Sequence, residues 1–249
     1  MIPASVGFQC PECVREGNRN VRKARTVFGG LSTGDPGYVT RALIAVNVLS
    51  FLAQWFVGMS YTSRLWELGG APGIVGVADG EWYRLLTAAF LHDPDNPLHI
   101  LLNMYALFML GPPLEAVLGR WRFLLLYVVS GIGGNVASYA VSSPGQPSLG
   151  ASGAIFGLLG AFFVISRRLN RDASVLYGVL VLNLVIGFVV PQIDWRAHIG
   201  GLVTGVTVAA LIAYAPAGRR RLVVQLGGTL LVLLVAVAVA AARTAQLGG

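Results

Sequence analysis

Ser152 lies in a Gly150-Ala151-Ser152-Gly153 stretch at the start of one apolar run, and His198 opens another, in Ala197-His198-Ile199-Gly200-Gly201. A serine hydroxyl becomes a nucleophile when a base within hydrogen-bond reach takes its proton, and histidine is the commonest such base. Each residue also has a plainer reading. A serine among glycines at a helix start caps or packs, and a histidine in an apolar setting is costly unless partnered. Three further polar groups, His99, Asn103 and Glu115, stand at positions i, i+4 and i+16 of a third apolar run. At about 100° per residue this spacing predicts that they fall on or near one face, a polar stripe turned inward.

What must position these groups is a membrane fold. Over half of the 249 residues are hydrophobic (55%), only 12% are charged, and the mean hydropathy is +0.69, a composition outside that of soluble globular domains. Apolar runs at 41–59, 98–118, 123–142, 152–168, 174–191, 196–215 and 222–242 predict an all-α, polytopic membrane protein of seven spans. The connection 60–97 is semi-polar and carries Trp66, Trp82, Tyr83 and Phe90, which suits an amphipathic segment at the lipid interface.

The net charge of +7 would suggest nucleic acid in a soluble protein, but here it reads as topology. With the N-terminus inside, the cytoplasmic segments hold fourteen of the 18 basic residues, in 15–41, 120–122, 167–171 and 219–221. Arg64, Arg84, Arg196 and Arg243 are left on the other face, so the positive-inside rule gives a cytoplasmic N-terminus and an extracytoplasmic C-terminus. No nucleic-acid partner is implied. Lys23 is the sole lysine, an arginine bias that suits a GC-rich bacterial genome. The second, fourth and sixth spans then all start at the outer side, which brings His99–Asn103, Gly150–Gly153 and His198–Gly201 to one depth.

Small residues mark where spans touch. Gly153, Gly157 and Gly160 line the fourth span, and Gly201 and Gly205 on the sixth form a small-xxx-small pair that lets backbones approach. Close approach would bring the Ser152 hydroxyl within reach of His198. Residues 1–37 open with no signal peptide and read as a polar cytoplasmic tail. Its Cys10-Pro11-Glu12-Cys13 is half of a zinc knuckle, and two ligands of the four a structural zinc needs imply no metal.

Glu81-Trp82-Tyr83-Arg84 with Phe90-Leu91-His92, then His99-Ile100-Leu101-Leu102-Asn103, Gly-Ala-Ser-Gly at 150–153 and Ala-His-Ile-Gly-Gly-Leu at 197–202 together resemble the rhomboid intramembrane serine proteases. The resemblance implies a six-helix core over 38–215 with an embedded first loop, and a seventh helix and short tail at 216–249. It implies a Ser152 nucleophile and a His198 base, with Asn103 and His99 stabilising the oxyanion. Phe156 would support the histidine, Glu115 would brace the first loop, and Arg84 belongs to that loop's aromatic-Arg motif. No cofactor is implied, and the partners would be transmembrane protein substrates within the bilayer. Residues 93–98 are longer and more polar than the pattern, and the Cys10–Cys13 tail resembles the end of a Cys/His-rich extension. An adaptor that binds helices without cutting would lack the serine or histidine, and a transporter would show inverted repeats; the sequence has the former pair and no visible repeat.

Overall fold

The structure, a computed structural model, describes residues 1–19, 24–32, 34–57, 75–143, 146–190 and 193–247. Arg22, Lys23, Arg64, Trp66 and the first part of the 60–97 connection lie outside the described residues. Two short antiparallel strands, β1 (Ile2–Pro3) and β2 (Phe8–Gln9), lead into α1 (Pro11–Arg19). The apolar runs form α2 (Tyr38–Val57), α4 (Pro97–Leu118), α5 (Arg120–Val141), α6 (Ser152–Arg168), α7 (Ser174–Val189), α8 (Trp195–Ala213) and α9 (Arg220–Leu247). A one-turn helix, α3 (Arg84–Thr87), stands between two 3₁₀ turns in the loop before α4.

Five of these helices are long and apolar enough to cross a bilayer: α2, α4, α5, α8 and α9. The other two runs predicted as spans are shorter than a full crossing. At about 1.5 Å per residue, the 17 residues of α6 and the 16 of α7 cover about 25 Å, against about 30 Å of hydrocarbon. The chain is a multi-pass, all-α membrane protein.

Helices α5, α6 and α8 form the centre, held at backbone distance by glycines. A Cβ at Gly134 of α5 would stand 2.7 Å from the Ala197 carbonyl oxygen of α8. Cβ atoms at Gly201 and Gly205 would overlap the carbonyl oxygens of Gly153 and Gly157 on α6. Without side chains at these points the helices gain dispersion contact along their backbones, the main attraction open to helices in lipid. Leu126, Leu158, Val208, Ala209 and Ile212 fill the space between, all buried.

Glu115 does not share the face of His99 and Asn103, nor does it brace the first loop among the described residues. Sixteen residues carry it about 160° round the helix from His99. There its carboxylate accepts from the amides of Val39 and Thr40 and from the Thr40 hydroxyl, each at 3.0 Å. It thereby satisfies first-turn donors of α2 that have no partner within their own helix. Arg120 stands 4.0 Å from the same carboxylate.

The segment before α2 is also built in. Phe28 is buried in the main hydrophobic cluster, and a Cβ at Gly30 would overlap the Leu118 carbonyl at the end of α4. Gln225 of α9 donates to the carbonyls of Phe28 (3.3 Å) and Ile212 (3.1 Å). At the far end of α9, Thr244 meets the Tyr139 hydroxyl at 2.8 Å and Arg243 donates to the Ser142 carbonyl at 3.0 Å. The appended helix is therefore hydrogen-bonded to the core at both ends.

Candidate active site

Ser152 is the first residue of α6, reached through Gly150 at φ +110°, a conformation open to glycine. The Gly150 amide donates to the Ala88 carbonyl at 3.0 Å, tying the serine turn to the loop before α4. That loop is in turn fixed to α5, where Asn135 donates to the Leu85 carbonyl at 2.9 Å. Among the described residues no side chain caps α6. Its first amide groups, which have no partner within the helix, are therefore left at the serine.

His198 sits one turn into α8, whose start is capped by Asp194 accepting from the Arg196 and Ala197 amides at 3.2 and 3.3 Å. The His198 Nε2 and the Ser152 Oγ are 2.8 Å apart. The Phe156 ring, one turn below Ser152, lies nearly parallel to the imidazole, with centroids 4.2 Å apart and planes at 14°. Among the described residues neither His198 Nδ1 nor Asp194 Oδ2 has a hydrogen-bond partner, so no carboxylate orients the ring. Stacking on Phe156 and the close packing of α6 on α8 do so instead.

His99 turns toward the same serine loop. A Cβ at Gly150 would stand 2.7 Å from His99 Nε2, so the ring edge lies against that glycine. The Asp93 amide donates to His99 Nδ1 at 3.4 Å, which places the proton of the neutral ring on Nε2, the nitrogen facing the serine turn. Asn103 is buried but differently engaged. Its amide donates to the His99 carbonyl at 2.8 Å within α4, leaving Oδ1 without a partner among the described residues. Arg84 is buried and pairs with Glu81 at 2.5 Å. Hydrogen bonds from Tyr83 and Arg84 hold the Glu81 carboxyl below its usual range.

Two further residues belong to this neighbourhood, Gln54 and the His92 of the Phe90-Leu91-His92 motif. His92, fully buried, faces His99 with ring centroids 5.2 Å apart. Gln54 of α2 clamps its backbone from both sides, donating to the His92 carbonyl at 2.7 Å and accepting from its amide at 2.9 Å. Burial first, and the neighbouring His99 second, push the His92 imidazole down to about 3. The signal available in the sequence was Gln54, a polar residue inside an apolar span, which needs a partner.

The Rhomboid domain matches residues 79–215, more than half of the chain and the stretch that supplies all of these side chains but Gln54. The chain belongs to the rhomboid family. The rhomboid protease GluP of Bacillus subtilis is 39% identical over 199 residues, covering 78% of this chain and 38% of that protein. The RHOMBOID-like protein 5 of Arabidopsis thaliana is 37% identical over 56% of this chain and 47% of its own length. The rhomboid-type serine protease 2 of Emericella nidulans is 31% identical over 57% and 29%. This rhomboid chain thus spans less than half the length of these three relatives.

Proposed function

We propose that the protein is an intramembrane serine endopeptidase that cuts transmembrane segments of other proteins. The observation that carries this reading is the 2.8 Å contact between Ser152 Oγ and His198 Nε2, with the imidazole stacked on Phe156. His198 removes the serine proton as the oxygen attacks a peptide carbonyl, then hands that proton to the leaving amine. Water, activated by the same imidazole, releases the acyl group from Ser152. The oxyanion of each tetrahedral intermediate is met by the uncapped amides at the α6 N-terminus and by the His99 Nε2–H. Asn103 joins them once its amide leaves the His99 carbonyl.

The rhomboid core, in this reading, is 38–215, with 1–37 a cytoplasmic tail and 216–249 an added helix. A short α6 whose Arg167 and Arg168 lie at the cytoplasmic face ends inside the outer leaflet, so Ser152 works below the outer surface. Substrate helices satisfy their own backbone groups in lipid, so cleavage needs a stretch that unwinds. They reach Ser152 past α7, whose outward side chains, from Val181 to Val189, are largely exposed.

A membrane-impermeant fluorophosphonate, which reacts with activated serines, tests both the chemistry and the side. Intact bacterial cells expressing the protein should be labelled from outside, and His198→Ala should lose the label. Labelling of wild type only after lysis would place the site on the other face; no labelling of Ser152 under either condition would contradict the enzyme.

A further inference from the structure

At the end of the molecule away from Ser152, three arginines from three parts of the chain converge on one glycine. Gly29, in the turn before α2, has φ +86°, and a Cβ there would stand 3.0 Å from Arg221 Nη1 and 3.6 Å from Arg122 Nη2. Arg25 Nη1 donates to the Gly29 carbonyl at 3.4 Å. The charges of Arg25 and Arg221 both act on Arg122, and no carboxylate forms an ion pair with any of the three among the described residues. Arg122 is held in place, its Nε donating to Gln225 at 2.9 Å, while Gln225 is itself anchored to Phe28 and Ile212.

The positive-inside rule explains why arginines lie at this end, but it asks only for charge in the loops. It does not ask for three guanidinium groups, one of them fixed by a buried glutamine, around a single turn. Like charges this close repel, and an anion between them removes the cost. Trp121, beside Arg122, is 78% exposed, as expected of an indole at headgroup level. Leu222, Val223 and Leu226 of α9 continue from Arg221 as an exposed apolar strip, along which an acyl chain can lie.

We propose that Arg25, Arg122 and Arg221 form a binding site for the phosphate of an anionic phospholipid headgroup at the cytoplasmic ends of α5 and α9. Guanidinium groups suit phosphate oxygens through paired N–H donors. Basic clusters between spans at the cytoplasmic side are a recurrent form of lipid recognition. The neighbouring α9 strip makes the lipid, rather than free phosphate, the occupant.

Native mass spectrometry of the full protein in detergent, titrated with dioleoylphosphatidylglycerol, dioleoylphosphatidylcholine or inorganic phosphate, tests the site. Wild type should retain one phosphatidylglycerol at least tenfold more tightly than phosphatidylcholine. Arg221→Gln should weaken that retention about fivefold and Arg122→Gln/Arg221→Gln about twenty-five-fold. Arg171→Gln, which removes the same charge from the loop between α6 and α7, should leave it unchanged. Among the described residues the Arg221 side chain donates no hydrogen bond to the core, so the single variant stays informative if the double variant misfolds. Equal retention of the two lipids, full displacement of phosphatidylglycerol by inorganic phosphate, or a loss in Arg171→Gln matching that in Arg221→Gln would overturn the proposal.

Discussion

Gly201 of α8 faces Gly153 of α6 so closely that a methyl group on Gly201 would overlap the Gly153 carbonyl oxygen. Gly153 directly follows Ser152, and Gly201 lies three residues after His198, so this contact sets the distance between the two side chains. Gly201→Val should force the helices apart. A displacement near 1 Å can cost about 10²-fold in rate with all chemical groups present. Turnover should therefore fall by that factor or more while the purified protein remains helical and monodisperse. Gly228→Val on α9 would first meet the side chain of Leu211, which can rotate away, and should keep most activity. Wild-type turnover in Gly201→Val would contradict the packing.

The parts of the fold that rest on apolar length and on small-residue spacing were legible in the sequence. Each predicted run is a helix, because backbone groups in lipid must bond within their own segment. The polar details were harder. Glu115 was placed by periodicity on the His99 face, but over sixteen residues the phase drifts to the opposite side, where the amides of Val39 and Thr40 wait. The pairing of Gln54 with His92 was unread because it joins α2 to a loop 38 residues on, a contact no local pattern contains. Phe28 and Gln225, separated by 197 residues, were hidden for the same reason.

Phe28 packs into the hydrophobic core although it lies before the start of α2. Residues 1–19 are mostly exposed, whereas Phe28 is 4% exposed. Deleting residues 1–19 should leave the melting temperature in detergent unchanged. Phe28→Ala should lower it by several degrees, since truncating a buried phenylalanine costs about 3–5 kcal/mol. An unchanged melting temperature in Phe28→Ala would show that this turn is not part of the folded unit.

The buried His92 gives stability a defined dependence on acid. Its folded-state value of about 3 lies below the ordinary 6.5, so between these limits the unfolded chain binds more protons than the folded one. Stability is then present above pH about 6.5 and lost as pH falls toward about 3, with a slope approaching 1.4 kcal/mol per pH unit at most. His92→Gln should flatten this slope in thermal unfolding measured from pH 7 to pH 4. A variant that loses stability as steeply as wild type would assign the acid sensitivity to another group.

The most direct measurement is cleavage of a fluorescently labelled transmembrane-helix substrate by the purified protein reconstituted into liposomes. Wild type should produce two fragments with a single new terminus. Ser152→Ala, His198→Ala and the double variant should each fall to the same residual level, because residues that act as one unit lose their function together rather than additively. Turnover near wild type in Ser152→Ala, or a double variant far below both singles, would contradict a catalytic unit built on the 2.8 Å contact between Ser152 and His198.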